Sequence, residues 1–153
     1  MIYSKSDMGL SDELKNLLNR TVTYSSSGGA NGFIQLFEFD NGSALWMSWW
    51  WEIWQRGKLI ACANDDDTPI TGKMAQASAA LVGKRLLGIN IDNDYTLGLF
   101  FEDDYDFWIF TDDKPDEKNL YDDFYYWEYW NRISKEAYGI NGNRDAIAIP
   151  FDE

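Results

Sequence analysis

The sequence predicts an α+β, β-rich fold in which two tandem helix-plus-antiparallel-hairpin repeats pack as a pseudo-twofold sandwich or half-barrel. Three observations lead to this prediction: a W-E-x-W block that occurs twice, a pair of hairpin-like segments, and an amphipathic segment ahead of each hairpin. The chain has 153 residues, a length typical of one domain. We therefore expect a single domain over residues 1–153, with internal repeats at about 11–62 and 69–138.

The two hairpin-like segments share the order apolar strand, acidic turn, aromatic strand. They are FEFDNGSALWM (37–47) and LFFEDDYDFWI (99–109), which align so that Phe39 matches Phe101 and Trp46 matches Trp108. The first has Asn-Gly at its centre, a strong hairpin signal because both residues tolerate positive φ. The second has Asp-Asp at the equivalent place, a weaker form of the same turn chemistry. Each segment therefore predicts an antiparallel hairpin.

An amphipathic segment precedes each hairpin and predicts a helix. The first is SDELKNLLN (11–19), where Ser11 is a candidate N-cap followed by two acidic residues, as helix N-termini prefer. The second is PITGKMAQASAALV (69–82), with Thr68 as candidate N-cap ahead of a Pro and Gly83 as candidate terminator. In both segments the apolar residues recur at helical spacing.

The W-E-x-W blocks are WWWEIWQR (49–56) and YYWEYWNR (125–132), which align so that Glu52 matches Glu128. This alignment leaves the second half with an insertion ahead of its block, within the polar stretch TDDKPDEKNLYDD (111–123), as an expanded loop would. In a strand, the first Trp of each block faces one way, and the Glu and second Trp face the other. The second block has no Gly or Pro nearby, so a helix over 125–132 remains an alternative.

The charge of the chain favours a basic protein partner. Lys and Arg number 13 against 26 Asp and Glu, which gives a formal net charge of −13. Nucleic acids and anionic membranes repel such a surface, so we expect neither as a partner. The first residues lack the pattern of a signal peptide, and no apolar run is long enough for a membrane helix. We therefore expect a cytoplasmic protein.

The residue inventory argues against catalysis. The chain has no His and a single Cys, so it lacks the commonest general base, the commonest zinc ligand and any intrachain disulfide. Phosphate-loop, dinucleotide and nucleophile-elbow motifs are also missing. We expect a protein that is not an enzyme and has no cofactor and no metal.

Two acidic constellations leave alternatives open. The triplet Asp65-Asp66-Asp67 offers metal ligands, but it lacks the alternating spacing of a calcium loop and suits a turn ahead of a helix. Glu52 and Glu128 occupy equivalent places in the two W-E-x-W blocks. They are candidates for the paired carboxylates of a glycoside hydrolase, or for structural partners of the Trp N–H groups.

The densest acidic stretch lies between residues 102 and 128, where 11 Asp or Glu occur with two Lys among many aromatic rings. Carboxylates beside aromatic anchors suit recognition of a basic protein, because charge steers encounter and rings supply contact area. The same pattern fits imitation of a nucleic-acid strand in a nuclease cleft, or a solvated acidic loop over an aromatic core. The partner-binding candidates are Asp103, Asp104, Tyr105, Asp106, Asp112, Asp113, Asp116, Glu117, Tyr121, Asp122, Asp123 and Tyr125.

These pieces together resemble bacterial two-repeat immunity-type proteins of polymorphic and contact-dependent growth-inhibition toxin systems. The matching pieces are LVGKRLLGI, LFEFDNGSALWM, WEIWQRGKLI, NDDD and LGLFFEDDYDFWI, which cover most of residues 17–132. The acidic turn at 103–104 and the insertion at 111–123 depart from the simple repeat. The resemblance implies a small cytoplasmic inhibitor without catalysis, commonly of a toxin nuclease, and it carries over no contact residue. An aromatic-lined carbohydrate- or small-ligand-binding module is the alternative function.

Overall fold

The computed structural model describes residues 9–112 and 124–151, which form two antiparallel sheets and two short helices. The helices are α1 (Leu10–Leu14) and α2 (Lys73–Ala79), and three single 3₁₀ turns cover Lys15–Leu17, Gly29–Asn31 and Glu102–Asp104. The strands are β1 (Val22–Ser26), β2 (Gln35–Phe39), β3 (Ser43–Met47), β4 (Trp51–Gln55), β5 (Lys58–Cys62), β6 (Leu86–Ile91), β7 (Leu97–Phe101), β8 (Tyr105–Ile109), β9 (Tyr125–Asn131), β10 (Glu136–Asn141) and β11 (Ala146–Ala148). The β-rich α+β prediction is therefore confirmed.

Each sheet combines strands from both halves of the chain. Sheet 1 has the order β1-β2-β3-β9-β10-β11, and sheet 2 has the order β5-β4-β8-β7-β6. Both predicted hairpins form, β2–β3 around the Asn-Gly turn and β7–β8 around the Asp-Asp turn. The second W-E-x-W block is strand β9, so the helical alternative for residues 125–132 is wrong.

The two W-E-x-W strands pair with the aromatic strands of the opposite half. Strand β9 lies against β3 with Glu128 opposite Trp46, and β4 lies against β8 with Glu52 opposite Trp108. Since residues opposite each other share a face of the sheet, each Glu of the repeated block lies beside a Trp from the other half of the chain. The motif thus appears on both sheets with the same neighbours.

The core combines large rings and aliphatic side chains, most of them from the inner faces of both sheets. Trp51 and Ile53 of β4, and Trp127 and Tyr129 of β9, have no exposed surface, as the strand alternation predicts. Phe37 of sheet 1 lies edge-on to Phe107 of sheet 2, with ring centroids 5.0 Å apart. The buried indole N–H groups are satisfied too: Trp51 donates to the Phe33 carbonyl at 2.5 Å, and Trp127 to the Tyr95 carbonyl at 2.8 Å.

Both helices begin at a different residue from the predicted one. The N-cap of α1 is Gly9, with φ 98°, so Ser11 lies inside the helix. The N-cap of α2 is Gly72 rather than Thr68. The hydroxyl of Thr68 donates instead to the Asp66 carboxylate at 2.6 Å, and its backbone N–H donates to the same oxygen at 3.0 Å. The Thr68 side chain therefore bonds within this local turn and does not cap the helix. Ser, Thr, Asn and Asp side chains often form such local hydrogen bonds.

The chain segments that lead into β1 of sheet 1 and β6 of sheet 2 contact each other at one point. Thr21 and Arg85 form an isolated antiparallel bridge just ahead of β1 and β6. Around it, the Val22 N–H donates to the Lys84 carbonyl at 3.0 Å, and the Leu86 N–H donates to the Arg20 carbonyl at 2.9 Å. In the part of the chain that the structure describes, neither helix has the length or the apolar character needed to cross a bilayer.

Candidate binding surface

The outer surface of sheet 2, which we call the open face, combines aromatic rings with carboxylates. Strand β8 supplies its centre because its side chains alternate: Phe107 and Ile109 are fully buried, whereas Asp106 and Trp108 are partly exposed on the other side. The alternation continues past the strand, with Phe110 partly exposed and Asp112 exposed. A row of acid, ring, ring and acid therefore runs along the middle of this face.

Strand β4 adds a Glu that two Trp side chains hold in place. The indole N–H of Trp50 donates to one oxygen of the Glu52 carboxylate at 3.0 Å, and that of Trp54 donates to the other at 2.9 Å. Both contacts are charge-assisted hydrogen bonds, which are stronger than neutral ones. They fix the orientation of the carboxylate and of both rings. The Trp50 side chain is 39% exposed, so this ring is available to a partner.

A glycine lets the central Trp of the open face lie flat on the sheet. Gly98 of β7 is paired with Trp108, and a Cβ built on Gly98 would lie 2.7 Å from the Trp108 ring. The ring covers the glycine, and it has Phe100 on one side, edge-on at 5.6 Å, and Phe110 on the other, nearly parallel at 6.3 Å. Three rings therefore form one continuous aromatic surface.

Two adjoining clefts open at the edge of this surface and share the Trp50 ring. One has a volume of about 410 Å³ and is lined by Trp50, Glu52, Phe110 and Asp112; we call it the acidic cleft. The other has a volume of about 300 Å³ and is lined mainly by apolar groups of Phe33, Trp49, Trp50, Ala63 and Asn64. The Trp50 ring therefore lines both the acidic cleft and the apolar cleft.

In the part of the chain that the structure describes, the carboxylates of the open face form no ion pair. Within residues 9–112 and 124–151, no Lys or Arg nitrogen lies within 4.0 Å of a carboxylate oxygen of Glu52, Asp106 or Asp112. Burial raises the pKa of Asp106, and the negative charge of Asp104 raises it further. The open face is therefore a place where negative charge is incompletely compensated.

The acids of the β7–β8 turn, in contrast, are paired within the chain. Asp103 binds the Lys84 ammonium, and this hydrogen bond lowers the pKa of its carboxyl. Asp104 lies 3.6 Å from the Arg56 guanidinium. The ring of Tyr105 lies 5.9 Å from the Lys84 ammonium. The structure thus separates these three predicted site residues from Asp106 and Asp112, which belong to the open face.

The remaining predicted site residues do not add to the open face that the structure describes. Tyr125 is in sheet 1, where its ring covers Gly139 of β10. Six further candidates fall outside the described residues: Asp113, Asp116, Glu117, Tyr121, Asp122 and Asp123.

The geometry gives no support to the two catalytic and metal alternatives. Glu52 and Glu128 lie on the outer sides of different sheets, since their neighbours Trp51 and Trp127 both point into the shared core. They therefore do not face one cleft, as a hydrolase pair must. In the acidic triplet, Asp65 accepts the Cys62 N–H at 2.7 Å and Asp66 accepts from Thr68. Within the described parts of the chain, no three potential ligands are grouped to hold a metal ion.

The predicted partner-binding residues did not include Trp50, Glu52, Phe100, Trp108 and Phe110, and Glu52 was a candidate only for a catalytic pair or a structural partner of Trp N–H groups. The signal was present in the alternation of 106, 108, 110 and 112, which places two acids and two rings on one side of a strand. The partner-binding residues were instead predicted from the high density of acidic residues in the stretch 102–128. Comparisons of the chain with family models, with curated proteins and with solved structures found no significant match.

Proposed function

We propose that this protein is a non-catalytic immunity protein that acts in the cytoplasm and neutralises a basic bacterial toxin domain. A nuclease is the class of toxin that the resemblance implies. The observation that carries the proposal is the open face, where Glu52, Asp106 and Asp112 lie among exposed rings and form no ion pair in the described residues. Such a surface is complementary to a positively charged protein.

The composition of the open face matches that of binding hot spots. Trp is among the residues that contribute most at protein interfaces, because a large ring buries much apolar area with little loss of side-chain freedom. Partly exposed Trp50, Trp54 and Trp108 supply such area, and a typical interface buries roughly 800 Å² on each partner. The carboxylates would accelerate encounter and fix orientation, while the rings would provide most of the affinity.

We further infer that the fold arose from a duplicated unit and has a pseudo-twofold axis near the Thr21–Arg85 bridge. The residue pairs that join β3 to β9 recur in the same order between β8 and β4, and in both cases the Trp of the aromatic strand faces the Glu of a W-E-x-W block. The buried first Trp of each block donates to a carbonyl at an equivalent place ahead of a hairpin segment, that of Phe33 or that of Tyr95. The hydrogen bonds around the bridge are reciprocal. Agreement among independent contacts supports the duplication.

The proposal is tested by measuring association with the toxin domain encoded beside the gene for this protein. Asp112→Lys places a positive charge on the open face, and Asp12→Lys makes the same change in net charge at an exposed site on α1. We expect Asp112→Lys to slow association about fivefold at low salt and to flatten its salt dependence, and Asp12→Lys to have little effect. Equal rates for both variants, or no binding of the wild-type protein to the toxin domain, would contradict the proposal.

The row of rings on the open face also favours a second candidate, a carbohydrate-binding module. Phe100, Trp108 and Phe110 form a continuous aromatic surface of the kind on which sugar rings stack. Titration with an oligosaccharide distinguishes the two functions. A saturable change in Trp fluorescence with a neutral oligosaccharide, together with no response to the basic toxin domain, would favour the module over the immunity protein.

A further inference from the structure

We propose that the acidic cleft binds the guanidinium group of an arginine side chain. This inference rests on the proposed function, because it names the group that the basic partner would place in the open face. The cleft contains two carboxylates, those of Glu52 and Asp112, and two rings, those of Trp50 and Phe110. A ligand that matches both must carry positive charge and have a flat surface that packs against rings.

The need for an external cation follows from the contacts of the two carboxylates. Glu52 accepts the indole N–H groups of Trp50 and Trp54, which are neutral donors. The guanidinium of Arg144 donates to the backbone carbonyl of Asp112 at 2.7 Å. Neither carboxylate forms an ion pair within the described part of the chain. The two carboxylates therefore retain lone pairs for a ligand, and the cation beside Asp112, Arg144, is bonded to its backbone rather than to its carboxylate.

Arginine fits this cleft better than lysine for geometric reasons. A guanidinium is planar, donates several hydrogen bonds in its own plane and stacks on aromatic faces, whereas an ammonium is a compact, strongly hydrated charge. The Trp50 indole is held in place by its hydrogen bond to Glu52, so a ring and a carboxylate edge are already oriented together. The stacking surface and the acceptors are thus prepared before the ligand arrives, which lowers the entropic cost of binding.

The adjoining apolar cleft suggests how an arginine would be presented. Because Trp50 lines both clefts, a partner that places Arg in one would bring a neighbouring apolar side chain to Phe33 and Trp49 in the other. A short motif of an arginine beside an aliphatic or aromatic residue would engage both sides of the Trp50 ring. The protein would then recognise an apolar side chain of the partner as well as its positive charge.

A small-molecule titration tests the cleft without the partner. The probe is N-acetyl-arginine amide, and the readout is the set of Trp indole signals in NMR spectra of the whole protein. For a ligand of this size we expect a dissociation constant on the order of 1 mM, with the largest shifts at Trp50 and Trp54. The lysine analogue should bind several-fold more weakly, and the citrulline analogue, which has the same shape without the charge, should give no saturable shift.

Matched variants locate the site. Glu52→Gln removes the charge and keeps an acceptor oxygen for one of the two indoles, while its amide NH2 takes the place of the other acceptor. We expect it to weaken arginine-amide binding about tenfold. Glu128→Gln makes the same change in the equivalent block of sheet 1 and should leave binding unchanged. Equal responses to arginine and citrulline, or loss of binding in Glu128→Gln but not in Glu52→Gln, would overturn the inference.

The test also separates this inference from the proposed function. If the toxin domain binds through the open face but the arginine probe produces no saturable shift, the acidic cleft is not an arginine site and the proposed function stands. If the probe binds and Glu52→Gln abolishes the response while no basic protein binds, the cleft is a guanidinium site and the immunity function is wrong.

Discussion

The two W-E-x-W blocks place the same residues in strands of the same register, and both Glu residues are partly exposed, yet their surroundings differ. Glu52 lines the acidic cleft of sheet 2, where two indole N–H groups hold its carboxylate. Burial raises the pKa of Glu128 in sheet 1, although its hydrogen bond with Trp130 lowers it. The motif therefore fixes the position of the carboxylate, and the residues around it differ between the two sheets.

The difference originates in the strand next to each block. Gly139 is paired with Glu128, and the Tyr125 ring lies directly over this glycine, where a Cβ would approach within 2.4 Å of the ring. Cys62 is paired with Glu52 in sheet 2. The position equivalent to Gly139 therefore carries a side chain in sheet 2, whereas the glycine in sheet 1 leaves room for the Tyr125 ring.

The end of the chain covers sheet 1 further. Strand β11 extends this sheet beyond β10, and Phe151 then lies 5.5 Å from the ring of Trp130, with the Lys135 ammonium 5.6 Å from the Phe151 ring. Among the described residues, the equivalent Trp54 in sheet 2 has no such ring against it. The chain therefore uses its own aromatic residues on one sheet and leaves the same kind of cluster available on the other.

The largest loss of stability is expected from Gly139→Ala, which would displace the Tyr125 ring from its place over this glycine in sheet 1. The new methyl group would overlap the Tyr125 ring, and displacing the ring should lower the free energy of unfolding by about 3 kcal/mol. It should also bring the pKa of Glu128 down toward its ordinary value. Urea unfolding and NMR titration measure the two effects. The control is Gly88→Ala in β6, where the nearest atom lies at an ordinary 3.4 Å; equal losses in both variants would contradict the role of Tyr125.

A smaller loss of stability, equal in the two halves, is expected when either buried indole is replaced. Trp51→Phe and Trp127→Phe each remove a hydrogen bond to a backbone carbonyl and leave a small cavity, which should cost about 2 kcal/mol in either case. Thermal or urea unfolding of the two variants provides the measurement. Losses that differ by more than about 1.5 kcal/mol would show that the inner faces of the two halves are as unequal as the outer faces.

The smallest effect concerns pH. The folded pKa of Glu128 lies above its ordinary value of about 4.5, so ionisation penalises the folded state. The stability present below the ordinary pKa is therefore lost as pH rises through 4.5 to the folded pKa. Glu128→Gln removes this loss and should be more stable than the wild type at pH 7, with the advantage disappearing in acid. A constant difference between pH 3 and 7 in urea unfolding would contradict the burial of this carboxyl.

Local patterns in the sequence account for most of the fold. The Asn-Gly turn, the alternation in β4 and β9, and the apolar spacing of the helices depend on neighbours within a few residues, so they are readable without the structure. Both helix starts were wrong: Thr68 donates to Asp66 in a local turn, and the first helix has Gly9 rather than Ser11 as its N-cap. The residues around Thr68 can form either a helix cap or a local turn, and contacts in the folded chain determine which of the two forms.

The binding surface was only partly predictable, because charge pairing is a long-range property. Asp103 and Asp104 belong to an acidic run, but the cations that neutralise them, Lys84 and Arg56, come from distant segments. Asp106 and Asp112 were among the predicted residues and have no such ion pair in the described chain. The number of acids in a stretch therefore gives no measure of the negative charge that remains uncompensated after folding.

The exchange of strands between the halves also governs how the chain acquires its structure. Strand β3 receives its second neighbour only when β9 arrives, late in the chain, and β4 must wait for β8. Pairings between such distant segments make folding slow, because a long loop must close before the contacts can form. A nascent first half would expose unpaired aromatic edges until synthesis is nearly finished. Because each sheet takes strands from both halves, truncation near the midpoint would leave both sheets incomplete.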